Sequence, residues 1–233
     1  MDFLGLSNWS IMKNAVRIIR KVYGIEIDIM TIPLDDKKTY KLLSNANTTG
    51  VFQLESDGMK RYIKDLKPTN IYDIMAMVSL YRPGPMQNIP TYIERKHGRE
   101  KPAYLHPAME NSLKETFGIP IYQEQVMQGT KDLAGFTGGE ADTVRKAMGK
   151  KIAALMAEMK VKFIAGCKTH SGIDEPLAEQ IWKQYEDFAA YGFNKSHAGC
   201  YAWIAYQTAY LKAHYPTAFF AALLTSNADN LDK

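Results

Sequence analysis

The spacing of apolar residues is the feature of this sequence that most restricts its fold. Near the N-terminus, Ile11, Ala15 and Ile18 lie three or four residues apart, and the same period recurs in most later segments. No segment shows sustained alternation of apolar and polar residues, which would indicate a strand. The sequence therefore predicts an all-α fold of many short to medium helices, with at most a few strand residues near 1–6 and 49–54.

The composition is that of a mildly basic globular protein. The chain has 233 residues, 29 of them basic and 25 acidic, and a formal net charge of +4, so contact with nucleic acid is allowed but not required. Its two cysteines are too few for a disulfide framework. No charged and apolar leader opens the sequence, and no apolar run approaches the roughly 20 residues of a membrane span. We expect a soluble, cytoplasmic protein with reduced thiols and no membrane association.

Two short motifs predict where helices end and begin. Arg82 is followed by Pro-Gly-Pro at 83–85, a rigid elbow that no helix crosses. Thr137 and Glu140 have the spacing of a capping box, in which the two side chains satisfy the first amides of a helix. We therefore expect one helix to end at the elbow and another to start after Thr137 and run to Gly149.

The polar segment 191–197 precedes a long stretch without proline and is the first candidate site. Ser196 is the predicted N-cap of the following helix. The free N–H groups of a first helical turn, beside Lys195 and His197, form a favourable place for phosphate. The alternative is a capped core helix whose polar start is only solvated, and the spacing leaves both interpretations open.

A second cluster of cations lies in the helix predicted to end at Gly149. Arg145 flanks its apolar stripe, Lys146 lies opposite, and Lys150 and Lys151 follow. Cations are expected near any helix C-terminus because of the helix dipole. However, this cluster, Arg82 and the 194–197 segment are three phosphate-compatible groups without an obvious acidic partner nearby in sequence. We expect them to converge on one pocket for the triphosphate of a nucleotide.

Six blocks of residues occur in the order seen in a known family. They are MDFLGL (1–6), VFQLES (51–56), YRPGP (81–85), YQEQVM (122–127), AD (141–142) with Arg145 and AMGKK (147–151), and YGFNKSH (191–197). In these blocks, which extend over essentially the whole chain, the sequence resembles the catalytic α subunit of bacterial DNA polymerase III, a C-family replicative polymerase. Several blocks in one order are far more specific than any single short motif.

The resemblance implies a part of a larger enzyme. Three palm aspartates of the family hold two Mg²⁺ ions for nucleotidyl transfer; Asp2 matches the third, as catalytic and metal-binding residue, and the other two have no counterpart here. The expected domains are the end of a palm strand at 1–6 and a helical fingers domain at 7–233, with a division into 7–135 and 136–233 left open. We therefore expect the chain alone to be inactive as a polymerase and to need no cofactor, with Mg²⁺ bound only in the complete palm.

The resemblance also implies the partners and the residues that bind them. The partners are the incoming dNTP, the primer-template DNA and the remainder of the α subunit; the sliding clamp binds outside the matched region. Arg145 is the first candidate for the triphosphate, and Lys146 stands where the family often has a second Arg. Arg82 is either a ligand contact or a pin for its elbow. The expected nucleotide-binding residues are Arg82, Arg145, Lys146, Asn194, Lys195, Ser196 and His197, and the expected DNA-binding residues are Lys150 and Lys151.

Two alternatives of other classes remain open from the sequence. Cys167 with His170, and His197 with Cys200, have the spacing of two zinc-ligand pairs, which would make the chain a zinc-stabilised structural module. The basic region 92–101 with the Lys150 cluster would be the footprint of a non-catalytic helical DNA-binding module.

Overall fold

The chain folds almost entirely into helices. The computed structural model describes residues 7–228, and within them there are twelve α-helices and no strand. The helices are α1 (Ser7–Tyr23), α2 (Lys37–Ser44), α3 (Asp57–Leu66), α4 (Ile71–Leu80), α5 (Ile89–Lys96), α6 (Glu110–Leu113), α7 (Gln123–Ala134), α8 (Gly138–Lys150), α9 (Ala153–Gly166), α10 (Glu175–Ala189), α11 (Lys195–His214) and α12 (Pro216–Ser226). Short 3₁₀ turns lie at Pro85–Asn88, Pro107–Met109 and Lys114–Thr116, and a π-helical turn at Cys167–Ser171 follows α9. The predicted all-α fold is confirmed.

The strand residues expected near 49–54 are not found. The segment forms turns, in which the amide of Val51 donates to the carbonyl of Thr48 and the amide of Leu54 donates to the carbonyl of Val51. Gly50 and Gln53 have φ values of 77° and 61°, in the left-handed region that an extended strand does not use. The expected palm strand at 1–6, together with Asp2, lies outside the described residues.

Capping side chains determine where several helices begin. The predicted capping box at α8 is confirmed: the Thr137 hydroxyl accepts from the amide of Glu140, and the Glu140 carboxylate accepts from the amide of Thr137 at 2.7 Å. A hydrogen bond from Lys162 and those from Thr137 lower the pKa of Glu140 to about 2. The elbow at 83–85 follows α4, which ends at Leu80 as predicted.

The chain divides into two compact units, and the division falls within α4 and within α11. The first unit contains the chain up to Val78 and from Gly199 onward. In its core, α1 packs against α12, with Ile11, Ala15 and Ile19 buried in one cluster with Phe219.

The second unit, Ser79–Ala198, is built around a core of aromatic side chains. Phe163 of α9 packs against Trp182 and Tyr185 of α10, with ring centroids 5.1 Å and 5.9 Å apart. Helix α7 packs against both α8 and α9, and α9 packs against α10. Helices α7, α8, α9 and α10 therefore share one apolar interior. The candidate site residues Arg82, Arg145, Lys150, Lys151 and 194–197 all belong to this unit.

The length and hydropathy of the twelve helices bear on whether the chain could span a membrane. Within residues 7–228, none is both long enough and apolar enough to cross a bilayer.

Candidate functional site

The polar segment 191–197 is held by the residues that start α7. The amide of Gln123 donates to the carbonyl of Phe193 at 2.9 Å, and the amide of Phe193 donates to the carbonyl of Ile121 at 3.1 Å. These two bonds form an isolated parallel bridge between Tyr122 and Phe193. The YQEQ and YGFNKSH blocks therefore meet in space, although about 70 residues separate them in the sequence.

Side chains of α7 strengthen this attachment. Gln123 donates from Nε2 to the carbonyl of Gly192 at 3.3 Å. The Glu124 carboxylate accepts from Asn194 Nδ2 and from the amide of Lys195, both at 2.9 Å. Gly192 leaves no room for a side chain, because a Cβ there would lie 2.8 Å from the ring of Phe188. The segment is thus fixed on two sides, by α7 and by the end of α10.

Arg82 holds the same segment from the elbow that follows α4. Its Nη2 donates to the carbonyl of Tyr191 at 2.8 Å, and its Nε donates to the carbonyl of Ser79 at 2.9 Å. The guanidinium carbon lies 4.6 Å from the centre of the Phe193 ring, which is cation–π distance. Burial lowers the pKa of Arg82. These contacts fix the elbow at 83–85 to the 191–197 segment, which is the structural role expected for Arg82. A contact of Arg82 with a ligand stays a prediction.

The predicted N-cap of α11 is wrong by two residues. The helix begins at Lys195, and Asn194 caps it by accepting from the amide of His197 at 2.8 Å; Ser196 lies within the first turn. Asn and Ser are equally good N-caps, so the sequence alone does not decide whether Asn194 or Ser196 caps the helix. Because Glu124 and Asn194 accept from the amides of Lys195 and His197, the helix start already binds one carboxylate of the protein itself.

The side chain of Lys195 also has an acidic partner. Its Nζ lies 2.5 Å from Glu115 Oε2 and 5.8 Å from the centre of the Tyr122 ring. Neither Glu115 nor Glu124 was identified from the sequence as part of the site. The position of Glu124 within the YQEQ block was the available signal, although nothing in the sequence shows which segment it contacts.

The cations of α8 do have an acidic neighbour, contrary to our expectation. Arg145 donates from Nε to Asp142 Oδ1 at 2.8 Å, and Lys146 Nζ lies 2.9 Å from Asp142 Oδ2. The hydrogen bonds of Lys146 and Arg145 lower the pKa of Asp142. The spacing of three and four residues along a helix was the signal for these pairs. Both cationic side chains remain partly exposed, so a ligand can still reach them.

The end of α8 lies close to the start of the 191–197 segment. Lys151, the C-terminal cap of α8, lines a cavity of about 290 Å³ together with Ala189 and Ala190, which immediately precede Tyr191. Only residues 135–137 connect α7 to α8, and the two helices pack together. The end of α8 and the end of α10 lie side by side at this cavity.

The remaining predicted residues of the second unit have exposed side chains. Lys150 and Lys151 are exposed at the end of α8, as are Ser196 and His197 in the first turn of α11. Which of these side chains contact phosphate or DNA stays a prediction. The catalytic and metal-binding residue Asp2 lies outside the described residues.

The structure does not support the zinc alternative. Cys167 is buried in the core of the second unit, and burial raises its pKa to about 11. A zinc ligand must be a thiolate, which this environment disfavours. Moreover, among residues 7–228, no three His, Cys, Asp or Glu side chains lie close enough together to hold a metal ion.

The basic region 92–101 is less cationic than its sequence indicates. Arg95 is paired with Glu100, and Arg99 donates from two nitrogens to the carboxylate of Glu94, at 2.7 Å each. The hydrogen bond from Arg99 lowers the pKa of Glu94. A phosphate backbone would therefore have to displace carboxylates to reach these two arginines.

Comparison with known proteins gives a consistent assignment. Residues 8–171 match the family described as the bacterial DNA polymerase III alpha subunit finger domain. The chain is 51% identical over 232 residues to DNA polymerase III subunit alpha of Aquifex aeolicus, covering 99% of this chain and 20% of that relative. It is 50% identical over 238 residues to the Thermus aquaticus protein of the same name, covering 100% of this chain and 19% of that relative.

A third relative shows the same pattern of coverage. DNA polymerase III subunit alpha of Caulobacter vibrioides is 48% identical over 232 residues, covering 100% of this chain and 20% of that relative. The chain thus spans about one fifth of the length of the relatives it matches. Both the matched family and these identities agree with the resemblance seen in the six sequence blocks. The chain therefore belongs to the family of finger domains of the bacterial DNA polymerase III alpha subunit.

Proposed function

We propose that this chain binds the triphosphate of an incoming dNTP and the templating base pair during template-directed DNA synthesis. In this proposal Arg145, Lys146 and Lys195 supply most of the positive charge. Arg82, Asn194, Ser196 and His197 complete the nucleotide site, and Lys150 and Lys151 contact the DNA backbone. In the cytoplasm, the complete α subunit would carry out nucleotidyl transfer, and Asp2 would contribute one of the carboxylates that bind Mg²⁺.

The observation that carries the proposal is the cavity shared by the end of α8 and the end of α10. Lys151 and Ala190 line it together, which supports a site that joins the end of α8 to the residues just before the 191–197 segment. A guanidinium binds two phosphate oxygens at once and an ammonium adds a compact charge, which suits a triphosphate. Asp142 pairs with Arg145 and Lys146 on an exposed surface, where such ion pairs contribute little free energy and exchange readily for a stronger anion.

The proposal is tested by steady-state nucleotide incorporation with a polymerase III alpha subunit that contains this chain. We expect Arg145→Ala to raise the KM for dNTP by about tenfold or more, because a charge-assisted contact contributes roughly 1.5–3 kcal/mol. The dissociation constant for primer-template DNA should change by less than about twofold.

Two other arginines provide the comparison. Arg20→Ala removes an exposed arginine paired with Glu26 at 3.1 Å and should change neither constant. Arg99→Ala tests the alternative of a general DNA-binding module. If Arg99→Ala weakened DNA binding while Arg145→Ala left the KM for dNTP unchanged, the proposed nucleotide site would be wrong.

A further inference from the structure

One carboxylate, that of Glu124, lies at the N-terminal ends of two helices. Glu124 is the second residue of α7, and its Oε2 accepts from the amide of Lys195, the first residue of α11. Its Oε1 accepts from the side-chain amide of Asn194, the cap of α11. Helix N-termini carry partial positive charge, so a single negative charge in this position stabilises both helices.

This arrangement determines where the start of α11 lies. Gln123 bonds to Gly192 and Phe193, and Glu124 bonds to the next two residues, Asn194 and Lys195. The bonds of Glu124 therefore hold the residues at which α11 begins. Without them, the Asn194 cap and the ion pair of Lys195 with Glu115 would be left to define the start of α11, and the bond that holds Asn194 to Glu124 of α7 would be lost. The side chains of Lys195 and His197 project from this first turn.

We propose that Glu124 is a positioning residue for the nucleotide site: it holds Asn194 and Lys195 in place through its carboxylate and does not itself contact the nucleotide. This inference rests on the proposed function. An alternative role for the same carboxylate is that of a competing anion, which occupies the helix start until the triphosphate displaces it. The two roles predict opposite effects of removing its charge.

The variant Glu124→Gln distinguishes the two roles. Glutamine keeps one acceptor oxygen, but its Nε2 must then face either Asn194 Nδ2 or the amide of Lys195, and both of these are donors. In the polymerase III alpha subunit that contains this chain, we expect the KM for dNTP to rise about fivefold to tenfold. The dissociation constant for primer-template DNA should stay close to that of the unmodified protein, and the midpoint of thermal unfolding should fall only slightly, because one charge at two helix starts contributes little to the stability of the whole chain.

Three results would overturn the inference. An unchanged KM would show that the two bonds do not position the site, and a lowered KM would show that Glu124 competes with the triphosphate. A similar loss of dNTP binding, DNA binding and thermal stability would show a general structural role. If Glu124→Gln does not fold, Glu124→Asp serves instead: it keeps the charge but withdraws it by about 1.5 Å, and the KM should rise less than tenfold but measurably.

Two further variants complete the experiment. Glu94→Gln is the control: like Glu124, Glu94 is a carboxylate that accepts two hydrogen bonds, in this case both from Arg99. Glu94 is not part of the proposed nucleotide site, so its replacement should leave the KM for dNTP unchanged. Arg145→Ala separates the two proposals. A raised KM in Arg145→Ala with an unchanged KM in Glu124→Gln would overturn only the role of Glu124, whereas an unchanged KM in both would also overturn the proposed function.

Discussion

Arg82 donates a hydrogen bond to the carbonyl oxygen of Tyr191 at 2.8 Å, although 109 residues separate the two in the chain. The bond joins the elbow after α4 to the segment that leads into α11. A guanidinium can do this because its planar fork reaches two carbonyls at once, those of Tyr191 and Ser79, while its face covers the ring of Phe193. Two blocks that stand far apart in the sequence are therefore parts of one local structure.

The first prediction concerns the replacement of this fork by a single ammonium. Arg82→Lys should lower the free energy of unfolding by about 1–3 kcal/mol, because a lysine cannot reach both carbonyls and cover Phe193. Urea unfolding followed by circular dichroism measures this change. The matched control is Arg20→Lys, in an exposed pair with Glu26, which should cost less than about 0.5 kcal/mol. Equal effects of the two replacements would contradict the role of Arg82 as a pin.

A second prediction concerns the buried amide of Gln125 in α7. Its Oε1 accepts from the amides of Ile121 and Tyr122 at 2.8 Å and 2.9 Å, and its Nε2 donates to the Thr116 hydroxyl at 2.7 Å. Gln125→Ala would leave two buried amides without an acceptor and should lower the free energy of unfolding by about 2–4 kcal/mol.

The neighbouring Gln128 provides the control for this measurement. It lies on the same helix and donates to Asp132 at 2.7 Å in a partly exposed pair four residues apart. Gln128→Ala should therefore cost no more than about 0.5 kcal/mol in the same urea titration. If both alanine variants were equally stable, the bonds of Gln125 would not contribute as their burial indicates.

The third prediction is a dependence of stability on pH that arises in the first unit. Asp36 caps α2 by accepting from the Thr39 amide at 2.7 Å, and its Oδ2 lies 2.9 Å from His214 Nε2. Burial tends to raise the pKa of Asp36, but the hydrogen bonds of Thr39 and His214 outweigh it, so that the pKa is lowered. A carboxyl with a lowered pKa stabilises the fold above its unfolded pKa of about 3.9, and this stabilisation is lost as the pH falls through the lower folded value.

Asp36→Asn isolates this contribution, because asparagine is also a good N-cap but carries no charge. At pH 7 the variant should unfold with a free energy about 1 kcal/mol lower than that of the unmodified chain. The difference should shrink as the pH is lowered from 5 towards 2, which urea titrations at several pH values measure. A difference that stays constant over this range would show that the charge of Asp36 does not matter.

The sequence predicted those features whose cause lies within one helical turn. The Thr137–Glu140 capping box depends on residues three positions apart, and the elbow after Arg82 depends on prolines that exclude a helix; both could be identified locally. Asp142 could also have been identified, since a partner three or four residues away on a helix is a local matter. The family blocks likewise identified the chain as a finger domain, because several ordered motifs are specific even when their contacts are unknown.

The contacts of Glu124 could not be predicted, because they depend on how two distant segments pack. About 70 residues separate Glu124 from Asn194 and Lys195, and nothing in either block indicates that they meet. The N-cap of α11 was misplaced for a related reason. Asn194 and Ser196 are both suitable caps, and the bond from Glu124 to the Lys195 amide favours the earlier start, which only the folded structure shows.

The last prediction compares two glycines in helices of the second unit. Gly166, at the end of α9, lies against α7: a Cβ there would clash with the carbonyl oxygen of Ala134 and lie 2.9 Å from its Cβ. Gly149 in α8 has no atom within 4 Å of the corresponding position. Gly166→Ala should therefore lower the free energy of unfolding by about 1–3 kcal/mol through overpacking.

Gly149→Ala should instead raise the free energy of unfolding by about 0.5–1 kcal/mol, because alanine loses less conformational freedom than glycine when a helix forms. Urea unfolding of both variants under the same conditions gives the comparison. The two changes in the free energy of unfolding should have opposite signs. The same substitution is made in both helices, and the difference comes from the space around the new methyl group. A stabilising Gly166→Ala would mean that α9 and α7 do not approach as closely as described.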